Sequence, residues 1–156
     1  MIQLKSATKE FPTRNGHPIF ALRNVDLDIH PGEFVMVIGP SGSGKSTLLF
    51  TVGGMQRPTE GNVTLGGTDV YGLSPAARAK LRRTRIGFVF QTFNLIPYLN
   101  SVDNVAVPAV LAGRPRRAAA KQAKELLCRM GLAERVTHRP SELSVGERQR
   151  VALCRS

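Results

Sequence analysis

Residues 39–46 have the residue types and the spacing that bind phosphate groups. They read Gly-Pro-Ser-Gly-Ser-Gly-Lys-Ser and fill the pattern GxxxxGK[ST]. In this pattern the glycines leave backbone N–H groups open to phosphate oxygens, the lysine reaches the β and γ phosphates, and the last hydroxyl binds Mg²⁺. The candidate residues of this phosphate loop and its flank are Gly39, Pro40, Ser41, Gly42, Ser43, Gly44, Lys45, Ser46 and Thr47.

The segments on either side of the loop must hold it in place. Residues 34–38 are five consecutive apolar residues after the turn Pro31-Gly32. They predict a strand buried on both faces, which is typical of a parallel sheet. Residues 46–52 predict a helix that ends at Gly53 and Gly54. The alternative is an ordinary glycine-rich turn, but every specified position of the pattern matches.

The remaining pattern predicts an α/β domain with an antiparallel part at its front. The predicted strands are residues 2–4, 22–29 and 86–90, with a hairpin around Gly66-Gly67. The predicted helices are residues 78–83, 101–111 and 115–130, and one that starts near Ser144.

Charge and composition limit the class of protein. The net charge is +11, and residues 78–156 hold sixteen basic against five acidic side chains. Aromatic residues do not interleave with the basic ones, so no nucleic acid is expected as a partner. No apolar run approaches the roughly 18 residues of a membrane span, and the N-terminus lacks a signal peptide, which predicts a cytoplasmic chain. Cys128 and Cys154 are far apart and are predicted to be reduced.

Three further segments carry a family resemblance. Residues 143–153, Leu-Ser-Val-Gly-Glu-Arg-Gln-Arg-Val-Ala-Leu, resemble the LSGGQ signature of ABC ATPases. Residues 88–97 are similar to the segment around that family's Q-loop glutamine, whose position Gln91 occupies. Phe11 matches the aromatic residue on which adenine stacks. The run through Asn104, Val105 and Pro108 looks most like the lipoprotein-release and macrolide-exporter branch.

This resemblance implies an ATP-binding subunit that hydrolyses ATP with Mg²⁺. Lys45 and Gln91 would be its catalytic residues, and Ser46 and Gln91 would contact the metal. Phe11, Ser144 and Gly146 would join the phosphate loop in binding nucleotide. Two copies would sandwich two ATP molecules and drive a transmembrane permease subunit, which places the protein peripherally on the inner face of the cell membrane.

The implied fold is a phosphate-loop domain of ABC type with an antiparallel β part and a helical subdomain. Residues 1–100 are expected to form the ATP-binding core, 101–139 the helical subdomain, and 140–156 the signature motif and its helix. The family's Mg²⁺-linked aspartate, catalytic glutamate, dimer-contact loop and switch histidine have no counterpart in these residues. The fold is therefore expected to be incomplete at its C-terminus, and the 156-residue chain to be inactive.

One signature residue departs from the family pattern. Val145 stands where the family has the first glycine, and a β-branched residue disfavours positive φ and crowds a phosphate. This departure puts the contact with the partner's nucleotide in doubt.

Several residues also have purely structural interpretations. Ser144 and Glu147 form a capping-box pattern, Gln91 alone is an ordinary loop residue, and Phe11 could be a core residue. His17, His30 and His138 share no motif and are predicted to lie at the surface.

Two other functions stay open. The chain could be a nonhydrolytic nucleotide-binding module, or an ABC-type ATPase that acts on nucleic acid or ribosomes.

Overall fold

The structure is a computed structural model that describes residues 1–156. It divides into two compact units, Met1–Thr84 and Arg85–Ser156. The first unit contains all the strands, and the second consists of helices and loops. None of the helices is both long enough and apolar enough to cross a membrane.

The first unit is built on a four-stranded antiparallel sheet in the order β2-β1-β3-β4. Its strands are β1 (Ile2–Phe11), β2 (Ile19–Ile29), β3 (Glu60–Leu65) and β4 (Thr68–Asp69). The predicted early strands and the hairpin at Gly66-Gly67 are confirmed. Leu4 lies opposite both Leu27 and Val63, and it belongs to a buried cluster with Ala7, Val63, Val70 and Tyr71.

Two helices accompany this sheet, α1 (Lys45–Val52) and α2 (Pro75–Arg85). The first begins one residue earlier than predicted, and the second is longer at both ends. The Tyr71 hydroxyl lies 2.7 Å from the Thr51 carbonyl oxygen and 2.5 Å from that of Gln56, where it donates its hydrogen. Burial raises the pKa of Tyr71 to about 12. The phenol therefore contacts the backbone at the end of α1 and just beyond it.

The predicted strands at residues 34–38 and 86–90 are wrong, because neither segment joins a sheet. The side chain of Phe34 is 90% exposed and that of Ile38 is 82% exposed. A strand needs a hydrogen-bonded neighbour, and no segment of these residues pairs with either one. The predicted parallel portion is absent, and the sheet that forms is entirely antiparallel.

The second unit contains α3 (Ser101–Leu111), α4 (Arg116–Arg129) and α5 (Val145–Arg155), with short 3-10 turns between α4 and α5. All three helices agree with prediction to within one residue. Their shared core is formed by Val105, Ala106, Ala119, Ala123, Leu127, Leu132, Leu143 and Val151. His138 is not a simple surface residue, because its Nδ1 is buried without a partner and its carbonyl accepts from the amide and hydroxyl of Ser101.

Candidate functional site

The phosphate loop leads directly into the N-terminus of α1. Leu48 N donates to the Gly44 carbonyl over 2.8 Å and is the first amide bonded within the helix. The amides of Lys45, Ser46 and Thr47 precede it, and no side chain caps this end. Free N–H groups together with the positive end of the helix dipole form a site for an anion.

Gly44 is the residue that most strictly requires glycine. Its φ is 88°, a left-handed value that residues with a Cβ rarely adopt. A Cβ at this position would also collide with the Ala21 carbonyl oxygen of β2. The loop is therefore held against β2 by close backbone approach.

The Lys45 side chain folds back over the loop. Its ammonium donates to the carbonyls of Gly39 and Pro40 over 2.9 and 2.7 Å, and it lies 3.4 Å from Ser43 Oγ. These contacts keep a positive charge at the loop without a neutralising carboxylate. Ser46 is exposed at the second helical position, where its hydroxyl is open to a ligand.

A cavity of about 520 Å³ borders the phosphate loop. It lies between the loop and β2, and its lining includes Phe20, Arg23, Ser43 and Lys45. Arg23 stacks on the Phe20 ring, with its guanidinium carbon 4.4 Å from the ring centroid. The cavity gives the loop an open side with aromatic and cationic character.

Phe11 lies at the end of β1 opposite Ile19 and is not among the residues that line this cavity. It is 37% exposed and belongs to neither buried cluster. The Lys9 ammonium lies 5.4 Å from the centroid of its ring. The ring is therefore an accessible surface rather than a core residue.

In the second unit, Gln91 is exposed in a turn that is closed by a 2.9 Å bond from Phe93 N to Phe90 O. Phe93 and Asn94 follow in left-handed conformation, with φ of 60° and 49°. The rings of Phe88 and Phe90 stack just before the turn, with centroids 5.8 Å apart.

The signature segment forms the predicted capping box at the start of α5. Ser144 Oγ accepts from Glu147 N over 3.3 Å, and Glu147 Oε2 accepts from Ser144 N over 2.7 Å. Glu147 also pairs with Arg135 over 2.9 Å. The Ser144 amide, the Arg135 guanidinium and the Ser144 hydroxyl together lower the pKa of Glu147 to about 2.

The prediction that valine at position 145 conflicts with a positive φ is wrong in this structure. Val145 is the first residue of α5, and it is not among the residues with positive φ. A Cβ on Gly146 would meet only Arg150 Nη1, at 3.8 Å. Neither position requires glycine within this chain, so glycine there would serve only the approach of another molecule.

Sequence reasoning missed the contacts that two residues make with the segment after Gln91. Arg155, in the last turn of α5, donates to the carbonyls of Phe93 and Asn94. Asn104 is fully buried, and its side-chain amide bonds Ile96, Leu99 and Asn100. An arginine near a helix end and an asparagine in a helix carry no local signal for such contacts.

A glycine-rich loop before a helix N-terminus, with a lysine over the loop, defines a phosphate-loop protein. The family model described as ABC transporter matches residues 22–156. The chain belongs to the ABC transporter family of ATP-binding domains, of the type found in the LolD and MacB proteins.

Two relatives illustrate this placement. The chain is 44% identical over 156 residues to the macrolide export ATP-binding/permease protein MacB of Burkholderia lata, covering all of this chain and 23% of that protein. It is also 44% identical to the lipoprotein-releasing system ATP-binding protein LolD 2 of Caulobacter vibrioides, covering all of this chain and 68% of that protein. The chain thus spans less than a quarter of the first relative and about two thirds of the second.

The fold matches a solved ABC cassette. A dimeric post-hydrolysis state of the ATP-binding cassette MJ0796, bound to ADP and Pi, aligns with a TM-score of 0.92 and 42% identity. The alignment covers 99% of this chain and 68% of that chain. The predicted ABC-type fold is therefore confirmed.

Proposed function

We propose that this chain binds ATP with Mg²⁺ and, within its whole protein, couples ATP hydrolysis to transport by a membrane permease. The observation that carries the proposal is the phosphate loop: uncapped amides at the start of α1 lie beside the Lys45 ammonium. An anion with several oxygens can accept from both at once. The nine residues 39–47 are the proposed phosphate site, and Lys45 is the residue that stabilises charge on the γ-phosphate.

Ser46 and Gln91 are the proposed protein contacts of Mg²⁺. No group of three or more His, Cys, Asp or Glu residues could hold a metal in this chain. Mg²⁺ bound to nucleotides takes most of its ligands from phosphate oxygens and water, so one hydroxyl and one amide oxygen suit it. Bound Mg²⁺ would neutralise charge on the phosphates, and Ser46 at the start of α1 would help to orient it.

Phe11 is the proposed stacking surface for adenine. An exposed aromatic face at a strand end can accept a base, and such stacking contributes on the order of 1–3 kcal/mol. Lys9 beside the ring adds positive charge to the same surface.

Ser144 and Gly146 are proposed to bind the nucleotide of a second copy. The start of α5 is exposed, and its helix dipole suits a γ-phosphate. The matched MJ0796 cassette is dimeric, which supports a sandwich of two copies. Gln91 and the proposed helical subdomain at 101–139 would contact the permease, so the protein would lie at the inner face of the membrane.

The test compares Lys45→Ala with Lys121→Ala, which removes an exposed lysine of α4. A charge-assisted contact is worth roughly 1.5–3 kcal/mol, so ATP affinity should fall about ten- to a hundredfold in the first variant only. Isothermal titration or fluorescent-nucleotide displacement measures the affinity. Equal affinity in both variants would remove Lys45 from the phosphate site.

The second candidate is nucleotide binding without hydrolysis. No apolar run ending in Asp-Glu occurs among these 156 residues, so no candidate orients the attacking water. We propose that the 156-residue polypeptide binds ATP without turnover. Phosphate release faster than that of Lys45→Ala would contradict this and favour a hydrolytic site within these residues.

A further inference from the structure

Helix α4 carries a row of exposed cations that lies outside the helical core. Arg117, Lys121 and Lys124 are spaced four and three residues apart, which places them on one face of an α-helix. All three residues are exposed. The helix buries Ala119 and Ala123 on another face. Together, Arg117, Lys121 and Lys124 form a basic stripe along the outer surface of the second unit.

The charge of the basic stripe is not neutralised within the chain. None of its three residues forms an ion pair, although the neighbouring Arg116 pairs with Asp103 over 3.4 Å. Residues 114–129 hold six basic side chains and one acidic side chain, Glu125. Like charges three or four residues apart repel one another on a helix. An anionic partner would therefore relieve a repulsion that the chain itself leaves in place.

The chemistry of the basic stripe favours a fluid anionic surface over a shaped ligand. Its side chains are long and flexible, and the sequence has no aromatic residue after Tyr98. The stripe therefore offers no ring on which a nucleic acid base could stack. It also lacks the aromatic anchors that contribute most of the affinity at protein interfaces. Anionic lipid headgroups need neither feature, because they attract Lys and Arg side chains through charge alone.

We propose that the basic stripe binds the anionic headgroups of a phospholipid bilayer. The proposal rests on the location at the inner face of the membrane given under the proposed function, and it adds a direct contact with lipid. Each Lys or Arg near such a surface strengthens binding about fivefold, so three cations contribute about a hundredfold. Helix α4 then lies with its charged face against the bilayer.

The first experiment measures co-sedimentation of the 156-residue chain with vesicles. Phosphatidylcholine vesicles are compared with vesicles that also contain phosphatidylglycerol. Binding should require phosphatidylglycerol. It should be lost when salt rises from about 0.1 M to about 1 M, because the Debye length falls from about 10 Å to about 3 Å. Equal binding to both kinds of vesicle overturns the proposal.

The deciding variant replaces the whole basic stripe with glutamine, as Arg117→Gln, Lys121→Gln and Lys124→Gln together. Its affinity for phosphatidylglycerol vesicles should fall about ten- to a hundredfold. Glutamine forms helices about as readily as lysine and arginine, so the helical signal in circular dichroism should be unchanged. Arg117→Lys alone should keep the parent affinity, because a headgroup layer needs the charge and not the guanidinium fork. A large loss in Arg117→Lys would contradict a fluid surface.

A matched control removes the same number of charges elsewhere. Lys5→Gln, Arg14→Gln and Lys80→Gln together change three exposed cations of the first unit. Both triple variants lose three charges from the net charge of +11. Only the stripe variant should lose most of its vesicle affinity. Equal losses would mean that net charge alone attracts the chain to vesicles, and the proposal would fail.

Cys128 allows the contact to be located, because it is exposed and lies one turn after Lys124 on α4. A fluorescent dye on Cys128, in a Cys154→Ser background, should be quenched by lipids with a spin-labelled headgroup. The same dye on Asn15→Cys, in a chain without the two native cysteines, should keep its emission. Equal quenching at both positions, or none at Cys128, overturns the proposal.

Two further measurements separate this proposal from its rivals. If vesicles are not bound but polyglutamate binds in a stripe-dependent manner, the surface fits an acidic protein and the bilayer assignment is wrong. Lys45→Ala should bind vesicles like the parent chain, because Lys45 lies in the phosphate loop of the first unit. Failure of the nucleotide site would therefore leave the vesicle result standing, and loss of vesicle binding would leave the ATP affinity unchanged.

Discussion

Gly42 and Gly44 both adopt left-handed backbone in the phosphate loop, with φ of 80° and 88°. They differ in their surroundings. A Cβ on Gly42 would meet nothing within 4 Å, whereas one on Gly44 would strike the Ala21 carbonyl. A substitution at Gly42 therefore tests only the left-handed backbone conformation, whereas one at Gly44 tests the same conformation together with a steric clash.

Gly44→Ala should destabilise the first unit more than Gly42→Ala. Left-handed backbone costs a residue with a Cβ roughly 1–2 kcal/mol, and overpacking against backbone adds about 1–3 kcal/mol. We expect losses of about 1–2 kcal/mol for Gly42→Ala and about 2–5 kcal/mol for Gly44→Ala in urea unfolding. Equal losses would mean that the loop does not lie close to β2.

At the scale of elements, α5 begins with a carboxylate that accepts hydrogen bonds from two residues. Glu147 accepts from the Ser144 amide and from Arg135, and Ser144 accepts in return from the Glu147 amide. The folded-state pKa of Glu147, about 2, lies below the ordinary value of 4.5. A carboxylate with a depressed pKa stabilises the fold above its unfolded pKa and loses that contribution as pH falls toward the folded pKa.

Glu147→Gln should therefore lower the stability of α5 at pH 6. The difference in free energy of unfolding between this variant and the parent chain should shrink as pH falls from 4.5 to about 2. Helix unfolding followed by circular dichroism in urea at several pH values measures this difference. Glu125→Gln, which removes an exposed carboxylate of α4, is the matched control and should leave the free energy of unfolding at pH 6 unchanged. A difference that grows as pH falls would contradict the assigned contacts.

At the scale of the whole molecule, residues 34–38 form an unpaired apolar segment. Phe34, Met36 and Ile38 are 90%, 73% and 82% exposed, and the backbone between Gly32 and the phosphate loop joins no sheet. An extended apolar segment with free backbone groups is a template for pairing with another chain. The net charge of +11 opposes this association but does not cover the segment.

The 156-residue polypeptide should self-associate through this segment. Met36→Lys places a charge in the segment and should shift the chain toward monomer in size-exclusion chromatography at matched concentration. Tyr98→Lys changes a residue of the second unit that is similarly exposed, at 74%. This control variant should not shift the chain toward monomer. If both variants elute like the parent chain, another surface mediates any association.

The sequence by itself determined the features that depend on neighbouring residues. The phosphate loop, the bounds of α3 and α4 and the capping box at Ser144 follow from glycine, proline and hydroxyl positions within a few residues of one another. The ABC-type fold was predicted because the phosphate loop, the Gln91 segment and the signature segment occur in the same order along the chain as in that family. These are local signals, and the structure contains them with shifts of one or two residues.

Only the tertiary structure decided the features that depend on a distant partner. Residues 34–38 have a strand pattern but no strand, because pairing needs a neighbour that the pattern cannot supply. Val145 has ordinary helical backbone because the Ser144 cap starts α5 immediately before it. Arg155 reaches Phe93 and Asn94 across about sixty residues of sequence because packing of α5 brings its last turn to the Gln91 segment. Contacts of this kind arise from how helices pack, which spacing along one chain does not encode.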